Sequence, residues 1–313
     1  MPRRLSDSTL SDSALAHILL LAVVFIWGAT FVLVKDALAD ASPLLFNLFR
    51  MTLAFLVLAI VNHRQLRHIT PRAWLSGLIV GLFLAAGYQF QTAGLAFTTP
   101  AKSAFITGLV VVFVPLLTII PALRAPNTPP PGGTAAIGAI LAFSGLILLT
   151  TPTGTTWQNL FSSIGLGDLL TLACAIAFAG HLLALSHTST RVPTSQLATL
   201  QIGAAAVFMA ITLPLGGHPH LTITPRLLIA LAVTSLLATA AAFTIQSWAQ
   251  QHLPPTHTAI LLTFEPVFAC LTSFLILHER LGLRSLSGAA LILAGIAVTE
   301  LLSAPSPLPT HPD

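Results

Sequence analysis

The chain has 313 residues, 55% of them hydrophobic and only 7% charged, with a mean hydropathy of +0.90. A soluble domain carries about 25% charged residues, so a water-exposed surface of ordinary polarity is excluded and lipid is the solvent for most of the chain. The pI of about 9.8 rests on a net charge of only +4, and the 13 Lys and Arg fall singly or in pairs, all but Arg50 at the edges of apolar segments. That placement belongs to membrane helices, not to a phosphate-tracking patch, and argues against nucleic acid as a partner.

A bilayer-spanning helix needs about 20 mostly apolar residues, and ten such runs follow one another along the chain. The first five are 17–35, 43–62, 73–94, 101–120 and 134–151; the second five are 166–186, 195–214, 226–248, 257–277 and 285–302. Residues 1–16 form a polar N-terminal tail. The run after them ends at Lys35 without a small-residue cleavage site, so it reads as a retained helix and not as a signal peptide. Breakers punctuate the joints at Ser42-Pro43, Thr70-Pro71, Thr99-Pro100, Pro193, Pro225 and Pro254-Pro255. The Pro-rich stretch 121–133 is expected to be a loop, because it cannot satisfy its backbone inside lipid. Residues 152–165 link the two halves, and 303–313 read as a disordered tail. Cys174 and Cys270 both lie within apolar runs, which argues against a disulfide framework.

The two halves repeat each other. Gly138–Gly145 reads GAILAFSG and Gly288–Gly295 reads GAALILAG; Pro115 corresponds to Pro266, and Trp27-Gly28-Ala29-Thr30 to Phe178-Ala179-Gly180-His181. Tyr88-x-x-Gln91 matches Phe243-x-x-Gln246 more loosely. Five helices per unit is an odd number, so the second unit enters the membrane from the opposite side, as in many alternating-access carriers. The expected fold is thus an all-α membrane protein of ten transmembrane helices, with two inverted five-helix repeats (17–151 and 166–302) around a central cavity. With the N-terminus cytoplasmic, seven Lys and Arg fall inside and five outside; the first half supports this orientation and the second half opposes it. The first helices usually dominate, which gives both termini cytoplasmic.

Several residues could carry function. Glu265, read as near the middle of the ninth run and next to Pro266, is either a carboxylate responding to protons or substrate, or a protonated structural acid bonded to a neighbouring helix. Arg50 lies about 10 Å inside the second run at about 1.5 Å per residue; it could snorkel, pair with an acid such as Glu265, or bind an anionic group. Tyr88 with Gln91, and Phe243 with Gln246 and Gln250, share helix faces and suit either a cavity wall or helix–helix hydrogen bonding. Trp27 lies deeper than an interfacial belt; Trp74 reads as an interfacial anchor. His181 could relay protons or be a hydrogen-bonded core histidine. Lys35, Lys102, Asp168, Glu279, Arg280 and Glu300 lie at helix ends and read as anchors. Gly138, Gly145, Gly288 and Gly295 allow close helix packing, within one chain or across a homodimer contact. His218-Pro219-His220 has too few ligands for a metal site, and no Walker-type loop is present; neither metal nor cofactor is expected.

The stretch FTTPAKSAFITGLVVVFVPLL (97–117) resembles the fourth helix of EamA-type members of the drug/metabolite transporter superfamily. AILLTFEPVFACLTSFLILHERLGLRSLSGAALILAGI (259–296) resembles the same family's closing signature, with its Glu-Pro pair, Gly-Glu-Arg-like turn and glycine-rich final helix. Trp27-Gly28 and Arg50 also fit; His278, where the family often has Gly, and His181 depart from it. The resemblance implies a plasma (inner) membrane carrier with helices one to four and six to nine around a cavity and helices five and ten at the periphery. Amino acids and other small metabolites, usually exported, are the implied substrates. Two other classes compete: a membrane enzyme acting on a lipid or acyl substrate, for which His278-Glu279 is the only adjacent acid–histidine pair, and a sensor or scaffold, against which the near absence of extramembrane domains argues.

Overall fold

The computed structural model describes residues 12–124, 130, 132–151, 164–189, 191–253 and 261–301, without the side chains of Gln250, Glu300 and Leu301. The expected tail 303–313, the start of the ninth run (257–260), and most of the tail 1–16 and of the linker 152–165 lie outside the described residues. The described residues form helices joined by turns and short connections, with one isolated bridge between Ala41 and Leu221.

The helices are α1 (Asp12–Ala37), α2 (Pro43–Val61), α3 (Pro71–Phe97), α4 in two segments (Pro100–Thr107 and Val110–Leu117) and α5 (Gly133–Thr150). The second half holds α6 (Leu166–Thr188), α7 (Thr194–Thr212), α8 in three segments (Pro225–Ala232, Val233–Ala241 and Ala242–His252), α9 (Glu265–Leu277) and α10 (Leu283–Leu301). Eight of them, α1 to α8, are long and apolar enough to cross a membrane; α9 and α10 are shorter apolar helices. The 13 residues of α9 reach only about 20 Å at about 1.5 Å each, short of a hydrocarbon core of about 30 Å. The chain is therefore a multi-pass helical protein with eight helices of spanning length among the described residues.

The proline breakers at 43, 71, 100, 193 and 225 turn out to stand at helix starts, and Pro254-Pro255 lies outside the described residues. Pro71, Pro100 and Pro225 each sit in a first turn, where their missing N–H costs nothing. The preceding Thr70, Thr99 and Thr224 accept from the amides of Ala73, Lys102 and Leu227, which satisfies one orphan donor at each start. The helix surfaces are apolar outward: Ile60 is 73% exposed, Leu275 60% and Ile140 67%. Exposure of that kind over many helices is expected where lipid, not water, is the neighbour.

The repeat relation is visible where α5 meets α10. A Cβ on Gly138 would lie 2.6 Å from the Gly295 carbonyl oxygen, and one on Gly145 would lie 2.5 Å from that of Gly288. As α5 advances from 138 to 145, its partner runs back from 295 to 288, so the two helices are antiparallel. All four glycines are spent on this contact within the chain.

One end of the bundle is tied by ion pairs. Arg226 at the start of α8 reaches Asp40 (2.8 Å) and Asp36 (3.2 Å), and Lys102 reaches Asp168 (2.9 Å). Backbone bonds from Thr222 to Asp40 and from Ser42 to His220 join the α1–α2 and α7–α8 connections, which gives the His218–His220 stretch a structural place. At the other end Gln196 donates to the carbonyls of Gln65 and His68, while Ala16, Leu20, Ala249 and Leu253 form an apolar cluster with Trp248 and Leu261.

Hydrogen bonds from Arg226 and Thr224 hold the Asp40 carboxyl down at about 2. An unfolded Asp titrates near about 3.9, so this contribution to stability is complete above that value and disappears as pH falls toward 2. Thermal melting in detergent checks it: Asp40→Asn should melt below the parent at pH 7, and the gap should close below pH 3.

Candidate functional site

Between the two tied ends lies a cavity that is open on one side. Its wall draws on both halves: α1, α2, α3 and α4 from the first, and α6, α8 and α9 from the second. Trp27, Arg50, Tyr88, Gln91, His181, Phe243, Gln246 and Glu265 all face it. Helix α7, which the resemblance had placed around the cavity, contributes no lining residue; it acts through Gln201, which sits behind His181. Helices α5 and α10 contribute none either.

Glu265 is not in the middle of a continuous helix. It is the first residue of α9, after a turn at Thr263-Phe264, because Pro266 has no N–H for a preceding helical turn and is at home in a first turn. Two glycines let neighbouring helices close on this start. A Cβ on Gly28 of α1 would meet the Glu265 carbonyl oxygen at 2.8 Å, and one on Gly108, at the break in α4, would meet Pro266 at 3.0 Å. The Glu265 side chain is partly exposed into the cavity, and no hydrogen bond or ion pair joins it to a described residue.

Arg50 does not snorkel, and it pairs with no acid among the described residues. It is 3% exposed, with Nε donating to Thr239 Oγ1 (2.8 Å) and Nη2 to Tyr88 Oη (3.0 Å) and the Ala238 carbonyl (3.3 Å). Its guanidinium carbon lies 4.2 Å from the centre of the Tyr88 ring. Ala238 and Thr239 belong to Val233–Ala241, which is wound as a π-helix. Such segments are rare, and frequent at functional sites. The Ala238 carbonyl also accepts from Trp27 Nε1 at 2.9 Å, so two cavity side chains are fixed to this one peptide.

The rings meet edge to face. Tyr88 lies 5.3 Å from Phe178 and 6.2 Å from Phe243, and His181 lies 5.8 Å from Phe243, spacings typical of favourable aromatic pairs. His181 Nε2 lies 2.9 Å from the Gln201 side-chain amide, so the ring is a hydrogen-bonded histidine within the bundle. Gln91 donates weakly to Thr107 at 3.5 Å. The Oε1 of Gln246, a residue 3% exposed, has no partner. Trp74 is 59% exposed near the start of α3, as an interfacial anchor is.

Sequence reasoning missed Phe178, Thr239 and Gln201. Phe178 carried a signal, since the repeat pairs it with Trp27. Thr239 and Gln201 matter only through the partners that tertiary packing brings them. His278 and Glu279 resolve as a helix end: His278 closes α9 in the left-handed region at φ 55°, where Gly is the commoner choice, and Glu279 accepts from Ser273 Oγ and from the Ala101 amide.

Apolar helices with lipid-like surfaces around a largely apolar chamber that holds a few polar groups define a multi-pass membrane protein of the transporter class. The chain belongs to the EamA-like transporter family, whose profile matches twice, over residues 14–151 and 165–301, and so to the drug/metabolite transporter superfamily. It is 30% identical over 279 residues to an uncharacterized transporter of Archaeoglobus fulgidus, covering 89% of this chain and 83% of that one. It is 23% identical to the uncharacterized transporter YoaV of Bacillus subtilis, covering 88% and 94%. A crystal structure of a protein 21% identical in sequence shares the fold, with a TM-score of 0.64 over 92% of this chain and 96% of that one.

Proposed function

We propose that this chain is a secondary carrier that exports amino acids or other small metabolites across the plasma membrane by alternating access. The observation that carries the reading is the Glu265 carboxyl group, which lines a chamber built from both repeats and makes no hydrogen bond or ion pair to a described residue. An acid at membrane depth is costly unless it meets water, a proton or a partner. A carrier supplies each of these in turn, and proton coupling would act through this group. The aromatic and amide wall of the chamber suits a compact solute with one polar end.

In this reading all ten helices cross the bilayer. Both termini are cytoplasmic, and the end tied by Arg226 and Lys102 faces outward. The apolar cluster of Ala16, Leu20, Ala249 and Leu253 then closes the chamber on the cytoplasmic side.

The test is overproduction in a host cell, comparing metabolites in the medium with those from a Glu265→Gln strain at equal membrane expression. Specific metabolites should accumulate outside with the parent chain, and the variant should lower their export about tenfold or more, the effect of losing one charged interaction of about 1.5–3 kcal/mol. Equal accumulation in both strains removes Glu265 from the mechanism. No change in either strain removes export.

A further inference from the structure

Charge is divided unevenly between the two ends of the bundle. The ion pairs of the described residues, Arg226 with Asp36 and Asp40 and Lys102 with Asp168, all lie at one end. The other end carries cations without acids. Arg64, Arg67 and Arg72 stand on the α2–α3 connection and Arg191 on the α6–α7 connection, all four exposed. No Asp or Glu occurs between Asp40 and Asp168, or between Asp168 and Glu265, so neither connection holds an acid of its own. Asp12, at the start of α1, pairs with none of the four, and their guanidinium groups make no hydrogen bond or ion pair to a described residue.

The two connections form one surface. Gln196 at the start of α7 donates to the carbonyls of Gln65 (2.9 Å) and His68 (3.3 Å), and Asn62 donates to Thr199 Oγ1 at 3.0 Å. Ala73 and Val192 are buried in one apolar cluster, which carries their chain neighbours Arg72 and Arg191 to the same place. Gln65–His68 is a tight helical turn, so the backbone bearing Arg64 and Arg67 is held against α7. Exposed apolar residues adjoin the arginines on both sides: Ile60 and Val61 before Arg64, and Trp74 and Leu75 after Arg72. Basic side chains bounded by lipid-facing residues and an exposed indole mark the depth of the headgroups.

Unpaired arginines at that depth meet a ligand that is itself part of the membrane. The guanidinium fork matches phosphate oxygens two at a time, and clusters of about four to eight basic residues beside membrane helices bind anionic lipid. We propose that this surface binds the phosphate headgroups of anionic phospholipids in the adjoining leaflet, with Arg64, Arg67 and Arg72 from the first repeat and Arg191 from the second as its donors. The site needs only that this end of the bundle stand at the membrane surface, and it is independent of what the chamber carries.

Trp74, two residues from Arg72, serves as the local reporter. The full chain is reconstituted in phosphatidylcholine bilayers containing a small share of brominated phosphatidylglycerol or of brominated phosphatidylcholine, whose bromines quench nearby indoles. The Trp74 signal is the difference between the parent and Trp74→Phe. One basic residue near a charged lipid surface is worth about fivefold in binding, so four should favour phosphatidylglycerol about tenfold or more. The triple variant Arg64→Gln, Arg67→Gln, Arg72→Gln should bring that preference down to about twofold or less, and Arg191→Gln alone should lower it about threefold. Arg280→Gln, which removes an exposed cation at the opposite end, should leave it unchanged. Both leaflets of the reconstituted bilayer have the same lipid, so a variant inserted upside down still reports. Should the triple variant fail to fold, Arg191→Gln carries the test. Inorganic phosphate replacing chloride at equal ionic strength should leave the preference intact. The proposal is overturned if the two brominated lipids quench Trp74 equally in the parent, or if the folded arginine variants keep the full preference. It is also overturned if Arg280→Gln lowers the preference as much as Arg191→Gln does, or if inorganic phosphate abolishes it, which would make the surface a site for free anions.

Discussion

Replacing Arg50 by Met should abolish most of the transport activity, by about tenfold or more, while leaving the melting temperature equal to or above that of the parent. The two halves of this expectation have separate causes. Arg50 is a buried cation with no ion pair among the described residues, and removing a guanidinium from water costs several kcal/mol that its hydrogen bonds only partly return. Met fills much of the same volume without that cost. Little is orphaned by the change: the Ala238 carbonyl keeps Trp27, and the Thr239 hydroxyl still donates to Thr234. What is lost is the fork that ties Tyr88 to the π-helical segment across the chamber. Lys should not rescue transport, because a single ammonium on a flexible stem cannot reproduce the planar geometry of three bonds. Transport assays and melting curves on the same preparations decide it. A fall in melting temperature that tracks the loss of activity would make Arg50 a structural residue only.

The largest loss of stability is expected at the α5–α10 seam. A Cβ at Gly145 would lie 2.5 Å from the Gly288 carbonyl oxygen and 2.7 Å from the Ile292 amide nitrogen. Both are backbone atoms, so no rotamer change relieves the overlap; the helices must separate along the seam. Gly145→Leu should therefore cost about 3 kcal/mol or more, at or above the upper end for overpacking, and lower the yield of monodisperse protein. Gly133→Ala, where nothing lies within 4 Å, is the control that should leave melting unchanged. Size-exclusion chromatography with melting separates the two uses of these glycines. If Gly145→Leu only dissociates an oligomer and leaves melting intact, the seam serves a dimer and not the monomer.

How much of this was legible in the sequence depends on whether a feature is local. Membrane class, helix positions and the twofold repeat follow from composition and from the recurrence of apolar runs, because lipid demands about 20 apolar residues per helix wherever the helix sits. The glycine pairs were legible for the same reason, as one motif written twice. The eight residues singled out as a cavity wall converge on one chamber, since polar and aromatic side chains inside apolar runs have few other places to go in a membrane protein.

Tertiary structure decided what those residues do to one another. The sequence allowed Arg50 to meet Glu265; the fold turns Arg50 instead into Tyr88 and the π-helical stretch of α8. It placed Glu265 in mid-helix; the fold makes it the first residue of α9, pressed between Gly28 and Gly108. It offered α7 as a wall; the fold sets α7 behind His181. Such choices depend on which helix faces which at what depth. A hydrogen bond is worth making only where both partners arrive together out of water, and linear spacing does not fix where helices far apart in the chain will meet.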